Sequence, residues 1–184
     1  MTTENETVVL SAEQTLATLD RLATRLARTI TRPEKRVVVG IRRGGAVVAQ
    51  LLCERLNHLL GVQLPVGFLD ISFYRDDLNT VGPNPVVAPT DLDMDIDDKR
   101  IVLVDDVLFT GRTIRAGLNA LFDYGRPEWV DLLVLVDRGC RQLPIQPDFA
   151  GLIMEAGRNE TVKLVKNPEG WMVVLKQVKR ASSY

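Results

Sequence analysis

Asp105 and Asp106 are neighbouring carboxylates at the end of an apolar run, Ile101 to Val104, and Thr110-Gly111-Arg112-Thr113 follows shortly after. The run reads as a short, continuous strand of a parallel sheet covered on both faces. The Thr/Gly stretch opens a helical pattern through Leu118, Leu121 and Phe122. A loop of this kind at a helix start offers backbone N–H groups, hydroxyls and the positive end of the helix dipole to an anion. Two carboxylates accept hydrogen bonds from hydroxyl groups. Taken singly, a carboxylate there caps a helix and a glycine there makes a turn. Joined after a strand, where open α/β sheets bind ligands, they suit a sugar phosphate such as ribose 5-phosphate. A Walker-type loop is excluded, because no Gly-x4-Gly-Lys-Ser/Thr occurs in the chain.

A second turn of complementary chemistry lies upstream. Arg36 to Ile41 reads as a strand, followed by Arg42-Arg43-Gly44-Gly45 and by a helix carrying Leu51, Leu52, Leu56, Leu59 and Leu60, which Gly61 stops. Glycines let a backbone approach a ligand closely, and arginine offers a fixed fork of donors to phosphate oxygens.

Stretch 102–113 resembles the phosphoribosyl-pyrophosphate (PRPP) signature of type I phosphoribosyltransferases. Tyr74-Arg75-Asp76-Asp77-Leu78, Arg115-Ala116-Gly117, Val134 to Gly139, Arg141 and Leu143-Pro144-Ile145 make the chain similar to the PyrR family in particular. Those are uracil phosphoribosyltransferases that double as pyrimidine operon regulators. The resemblance runs from about Val8 to about Lys179. It implies an α/β fold: a Rossmann-like core of parallel sheet flanked by helices at about 8–136, a flexible lid at about 75–98 and a small hood at about 137–179, all one domain over 1–184.

The resemblance also implies roles. Asp105, Asp106 and Arg75 are the catalytic candidates. Arg42, Arg43, Gly44, Val107, Leu108, Phe109, Thr110, Gly111, Arg112 and Thr113 would bind PRPP, with a strained or cis peptide in the arginine loop. Asp137, Arg138 and Gly139 would meet the base. Magnesium is the implied cofactor, held mostly by PRPP oxygens, with no residue as a direct metal ligand. Uracil, PRPP, UMP and UTP are the implied small-molecule partners, and the chain is expected to form a homo-oligomer. The family usually has arginine where Gly44 stands and often histidine where Cys140 stands.

Leader mRNA is the other implied partner, with Arg21 and Arg141 as the residues left to contact it. RNA-binding members present Thr and His where this chain has Asp20 and Thr24, and Gln146 replaces a second arginine. Losing cations weakens counterion-driven binding. Two other readings stay open: a regulator that chiefly binds RNA, and a phosphoribosyltransferase for another base.

Composition sets the bounds. The 184 residues make one ordinary domain, and 46% apolar with 26% charged residues is globular. A net charge of −1 argues against wholesale nucleic-acid binding. Two cysteines, Cys53 and Cys140, build no disulfide framework, which suits the cytoplasm. The polar, acidic first residues are unlike a signal peptide, and no stretch reaches membrane-spanning length.

Further elements follow in order. Ser11 and Gln14 have capping-box spacing before Leu16, Leu19, Ala23, Leu26 and Ile30. Arg21, Arg25, Arg28 and Arg32 lie opposite that stripe and read as a solvated face. Pro33 ends the helix, and His58 reads as structural. Leu64 to Tyr74 reads as a strand, as does Trp129 to Val136. Strands at 151–155, 161–165 and 171–178 are expected in the hood, the last two as a hairpin through Asn167-Pro168-Glu169-Gly170.

Overall fold

The computed structural model describes residues 6–74, 90–157 and 159–177. Arg75 and most of the expected lid lie outside them. Strand β1 (Glu6–Leu10) leads into α1 (Ala12–Ala27), β2 (Arg36–Ile41), α2 (Gly44–Leu60) and β3 (Val66–Leu69). Then come β4 (Arg100–Leu108), α3 (Arg112–Phe122), β5 (Trp129–Asp137), β6 (Phe149–Ile153), β7 (Glu160–Asn167) and β8 (Gly170–Gln177).

Five strands form one parallel sheet in the order β3-β2-β4-β5-β6. Its central strands are apolar without alternation because helices cover both faces. On one face Leu19, Leu22 and Leu26 of α1 and Val48, Leu52 and Leu56 of α2 pack on Val38, Val102 and Leu133. On the other, Ile114, Ala120 and Leu121 of α3 meet Val39, Ile41, Leu103 and Val134. The architecture is the one expected of a type I phosphoribosyltransferase core. A three-stranded antiparallel sheet, β1-β8-β7, forms the hood, and its Val162 and Val173 join the α1 side of the core.

Local signals act as the sequence suggests at α1, where Ser11 and Gln14 form the reciprocal capping box. Gly61 terminates α2 in the left-handed region, at φ 65°.

Several boundaries differ from expectation. Phe149–Ile153 pairs with β5 as the fifth strand of the main sheet instead of joining the hood, and the hood's third strand is β1. Gly151 makes β6's position workable: a Cβ there would lie 2.6 Å from both the Leu135 carbonyl and Thr18 Cγ2. The α1 face is turned slightly from the expected stripe, burying Thr15 and Thr18 and exposing Leu16. Helix α1 stops at Ala27, and Pro33 begins a short 3₁₀ turn instead. The strand expected over 64–74 is only β3, followed by a 3₁₀ turn at Ser72–Tyr74. Asp105 and Asp106 lie within β4, which runs on to Leu108, rather than after it.

Arg21, Arg25, Arg28 and Arg32 are all exposed, as read from the sequence, and two of them also make local contacts. Arg21 donates to Thr18 Oγ1 at 2.9 Å. Arg25 lies 5.7 Å from the centroid of the Phe149 ring and donates to the Ala150 carbonyl at 3.4 Å, holding α1 against β6.

Candidate active site

The site is built where β2, β4 and β5 end side by side. From β2 the chain turns through a cis Arg42–Arg43 peptide into α2. The backbone N–H of Arg42 donates to the Leu69 carbonyl at 2.9 Å. No side chain caps the start of α2, so its first-turn N–H groups face the same edge of the sheet as the ends of β2 and β4. The Arg42 guanidinium lies 5.4 Å from the Phe68 ring centroid, and its Nε is buried with no hydrogen-bond partner among the described residues. Arg43 is exposed.

Two glycines bring this turn against β4. A Cβ on Gly45 would stand 2.5 Å from the Val104 carbonyl, and one on Gly44 would stand 2.2 Å from Oδ2 of Asp106. Asp105 is buried, and its Oδ1 accepts from the Asp106 N–H at 3.0 Å. Asp106 is half-buried. Val107 and Leu108 pack into opposite faces of the core, so neither side chain enters the turn.

The second turn, Phe109 to Gly111, starts α3. Gly111 takes φ 91°, a left-handed conformation that suits glycine, and no side chain caps the helix. Thr110 Oγ1 accepts from the Arg112 N–H at 3.3 Å. The 142–145 loop lies on this turn: the Gln142 and Leu143 N–H groups donate to the Thr110 carbonyl at 3.0 and 3.1 Å. Arg112 Nε donates to Gln142 Oε1 at 3.0 Å. In the sequence this support shows only as Leu143-Pro144-Ile145.

The third turn follows β5. Asp137 Oδ1 accepts from the Gly139 N–H at 3.0 Å, and its Oδ2 accepts from Arg141 Nη2 at 2.6 Å. Arg141 also donates to the carbonyls of Ile145 at 2.9 Å and Phe109 at 2.8 Å. Its guanidinium is therefore tied into the loop. Arg138 is buried, and its guanidinium donates to backbone carbonyls of the 156–160 segment. Cys140 is exposed, at φ 59°.

Other features lie away from these turns. Burial raises the Cys53 thiol pKa. The hydrogen bond to Asp123 raises that of the Tyr74 phenol. His58 is exposed on α2 beside a groove between α1 and α2, where Arg55 Nε donates to Asp20 Oδ1 at 2.6 Å. Among the described residues no three His, Cys, Asp or Glu side chains converge as a metal cage.

Known proteins resemble this chain in sequence and in fold. The family model described as the phosphoribosyl transferase domain matches residues 7–162. A Nostoc punctiforme protein named "Bifunctional protein PyrR" is 47% identical over 165 residues, covering 88% of this chain and 91% of that protein. Its namesake from Deinococcus radiodurans is 41% identical, covering 88% of each. Among solved structures, a hypoxanthine phosphoribosyltransferase of Staphylococcus aureus aligns with a TM-score of 0.67 at 20% identity, covering 96% of this chain and 94% of that one. That of Trypanosoma cruzi gives 0.69 at 18%, covering 94% and 97%. These structures share the fold. The turns, the domain match and the relatives together place this chain in the PyrR family of phosphoribosyltransferases.

Proposed function

We propose that the chain transfers the phosphoribosyl group of PRPP to N1 of uracil, giving UMP and pyrophosphate. The single observation that carries this reading is the contact of the Gly44-Gly45 turn with Asp105 and Asp106. It sets a cradle for pyrophosphate directly beside carboxylates for the ribose hydroxyls.

In the reaction the anomeric C1′–O bond to pyrophosphate breaks, a C1′–N1 bond forms, and N1 gives up its proton. Positive charge grows on the sugar and negative charge on the leaving group, so positioning and charge placement do the catalysis. Asp105 and Asp106 hold the ribose diol and lie beside the growing cation. The 5-phosphate sits against Thr110 to Thr113 at the start of α3. The Arg42–Gly45 turn takes the pyrophosphate, with the exposed Arg43 reaching it while Arg42 packs on Phe68; Arg75 is assigned to the same anion from outside the described residues. The backbone of Asp137 to Gly139 reads the alternating carbonyl and N–H edge of uracil. Hood and lid together keep water from the sugar.

A magnesium ion fits this donor set. Two carboxylates without a third ligand suit a cation that keeps its waters and binds chiefly through substrate oxygens. Asp105 and Asp106 would hold it through water, and it would neutralise the pyrophosphate charge.

Competition among uracil, hypoxanthine and adenine for PRPP turnover tests the base assignment. Uracil alone should be consumed, and preferential use of either purine would overturn it. The working unit is taken as a homo-oligomer, which sedimentation checks. Two unpaired cysteines suit the cytoplasm, and no helix among the described residues is long and apolar enough to cross a membrane.

A second role is favoured by the printed name of the relatives, which calls them bifunctional. We read it as control of pyrimidine genes through leader RNA in response to UMP or UTP. Asp20, the acidic residue that argued against RNA on α1, is paired with Arg55, and Arg21 and Arg28 are exposed beside it. A gel shift with pyrimidine leader RNA, with and without UMP, decides this. A mobility unchanged under both conditions would remove the regulatory role.

A further inference from the structure

Arg138 reaches in two directions from the end of β5, and its side chain is only 4% exposed. Toward the hood it donates to the carbonyls of Glu160 at 2.9 Å, Gly157 at 3.0 Å and Ala156 at 3.4 Å. Toward the phosphate turn, its guanidinium lies 3.9 Å from the centroid of the Phe109 ring. Phe109 directly precedes Thr110, and Arg141 holds its carbonyl from the other side. The hood turn is itself closed: Glu160 Oε2 accepts from the Gly157 N–H at 2.6 Å, and the Glu160 N–H donates to the Gly157 carbonyl at 3.0 Å. One buried side chain thus spans the 5-phosphate turn and the turn that opens β7.

We infer that Arg138 is a positioning residue that couples the two turns: seating the ribose phosphate beside Phe109 orders the 156–160 turn of the hood, so PRPP raises the affinity for the base. The inference rests on the phosphoribosyltransferase reading and goes beyond it. A planar guanidinium can stack on a ring and present its fork to several carbonyls at once, and the point charge of lysine cannot. Three of the guanidinium's hydrogen bonds go to protein carbonyls, so its effect on the base passes through the backbone. Coupling of this kind is reciprocal, so the base must favour PRPP by the same factor.

Hydrogen exchange on the full chain, with PRPP and no base, tests the coupling. In the unaltered protein PRPP should slow exchange of the amides at 157 and 159–161 by about threefold or more. Phe109→Tyr, which keeps the ring, should retain that protection. Arg138→Lys and Phe109→Leu should lose it while calorimetry still registers PRPP binding. In turnover, Arg138→Lys should raise the KM for uracil about tenfold, while the Kd for PRPP measured without base stays within about twofold. Protection that persists in Arg138→Lys, or is absent from the unaltered protein, overturns the inference, as does an equal rise in the uracil KM and in the base-free Kd for PRPP. Because the exchange measurement uses no base, it stands whichever base is accepted, and an error over uracil shows only in the turnover assay.

Discussion

Gly44 and Asp106, far apart in sequence, share one volume: the position of a Cβ on the glycine lies 2.2 Å from the carboxylate oxygen Oδ2. At Gly45 the obstruction is backbone, the Val104 carbonyl at 2.5 Å. The two positions should therefore respond differently to the same added methyl group. Gly44→Ala displaces a movable carboxylate, so kcat should fall about tenfold or more, equivalent to about 1.4 kcal/mol of barrier, with little change in melting temperature. Gly45→Ala forces strand and helix apart and should cost about 1–3 kcal/mol of stability. Paired thermal melts and initial rates with PRPP check both.

Replacing Asp106 by Asn keeps its shape and removes its charge. Turnover should drop about tenfold or more, because the carboxylate beside the developing sugar cation is lost. Circular dichroism and the melting curve should match those of the unaltered protein. An unchanged rate would remove Asp106 from the proposed chemistry.

The two glycine-bearing turns at the ends of β2 and β4 were legible because their signals are local. A strand of β-branched residues, a pair of carboxylates and a Thr/Gly helix start lie within one short stretch, and the same holds from Arg36 to Gly61. The assignment of β6 was not legible. Phe149–Ile153 is a short apolar run, and whether it pairs with β5 or with the hood depends on long-range fit at Gly151, Thr18 and Leu135. Periodicity carries no information about that. The ties of Arg138 and Arg141 have no local signal either, because backbone carbonyls of distant turns accept their donors. Thr15 and Thr18 lie off the apolar stripe that begins at Leu16, yet both are buried, Thr18 against Gly151 of β6.

The capping box at Ser11 offers a measurement of local energetics. The Ser11 hydroxyl accepts from the Gln14 N–H at 3.2 Å, and Gln14 Oε1 accepts from the Ser11 N–H at 2.9 Å. Ser11→Ala should lower unfolding stability by about 1 kcal/mol, read by urea titration, with uracil turnover unchanged.

The cysteines should separate cleanly in a thiol titration. Cys140 is exposed and should react at once in the folded protein, whereas Cys53 is buried and should react only on unfolding. Burial raises the Cys53 pKa above its ordinary 9.0, so the folded state keeps a proton that the unfolded state releases. The contribution is neutral below that pH, and stability falls as pH rises from there through the folded-state pKa. Melts across pH 8 to 10.5, compared with Cys53→Ala, measure it.

The pairing of β1 with β8 sets Glu6 opposite Lys176 across nearly the whole described chain. During synthesis the earliest of these strands must wait for the last to emerge from the ribosome. A nascent chain released after β6 would already own the five-stranded sheet and both turns proposed for the anions, yet have nothing above them to hold a base. Competence for the sugar phosphate should thus arrive before competence for the second substrate, in the cell as each molecule is made.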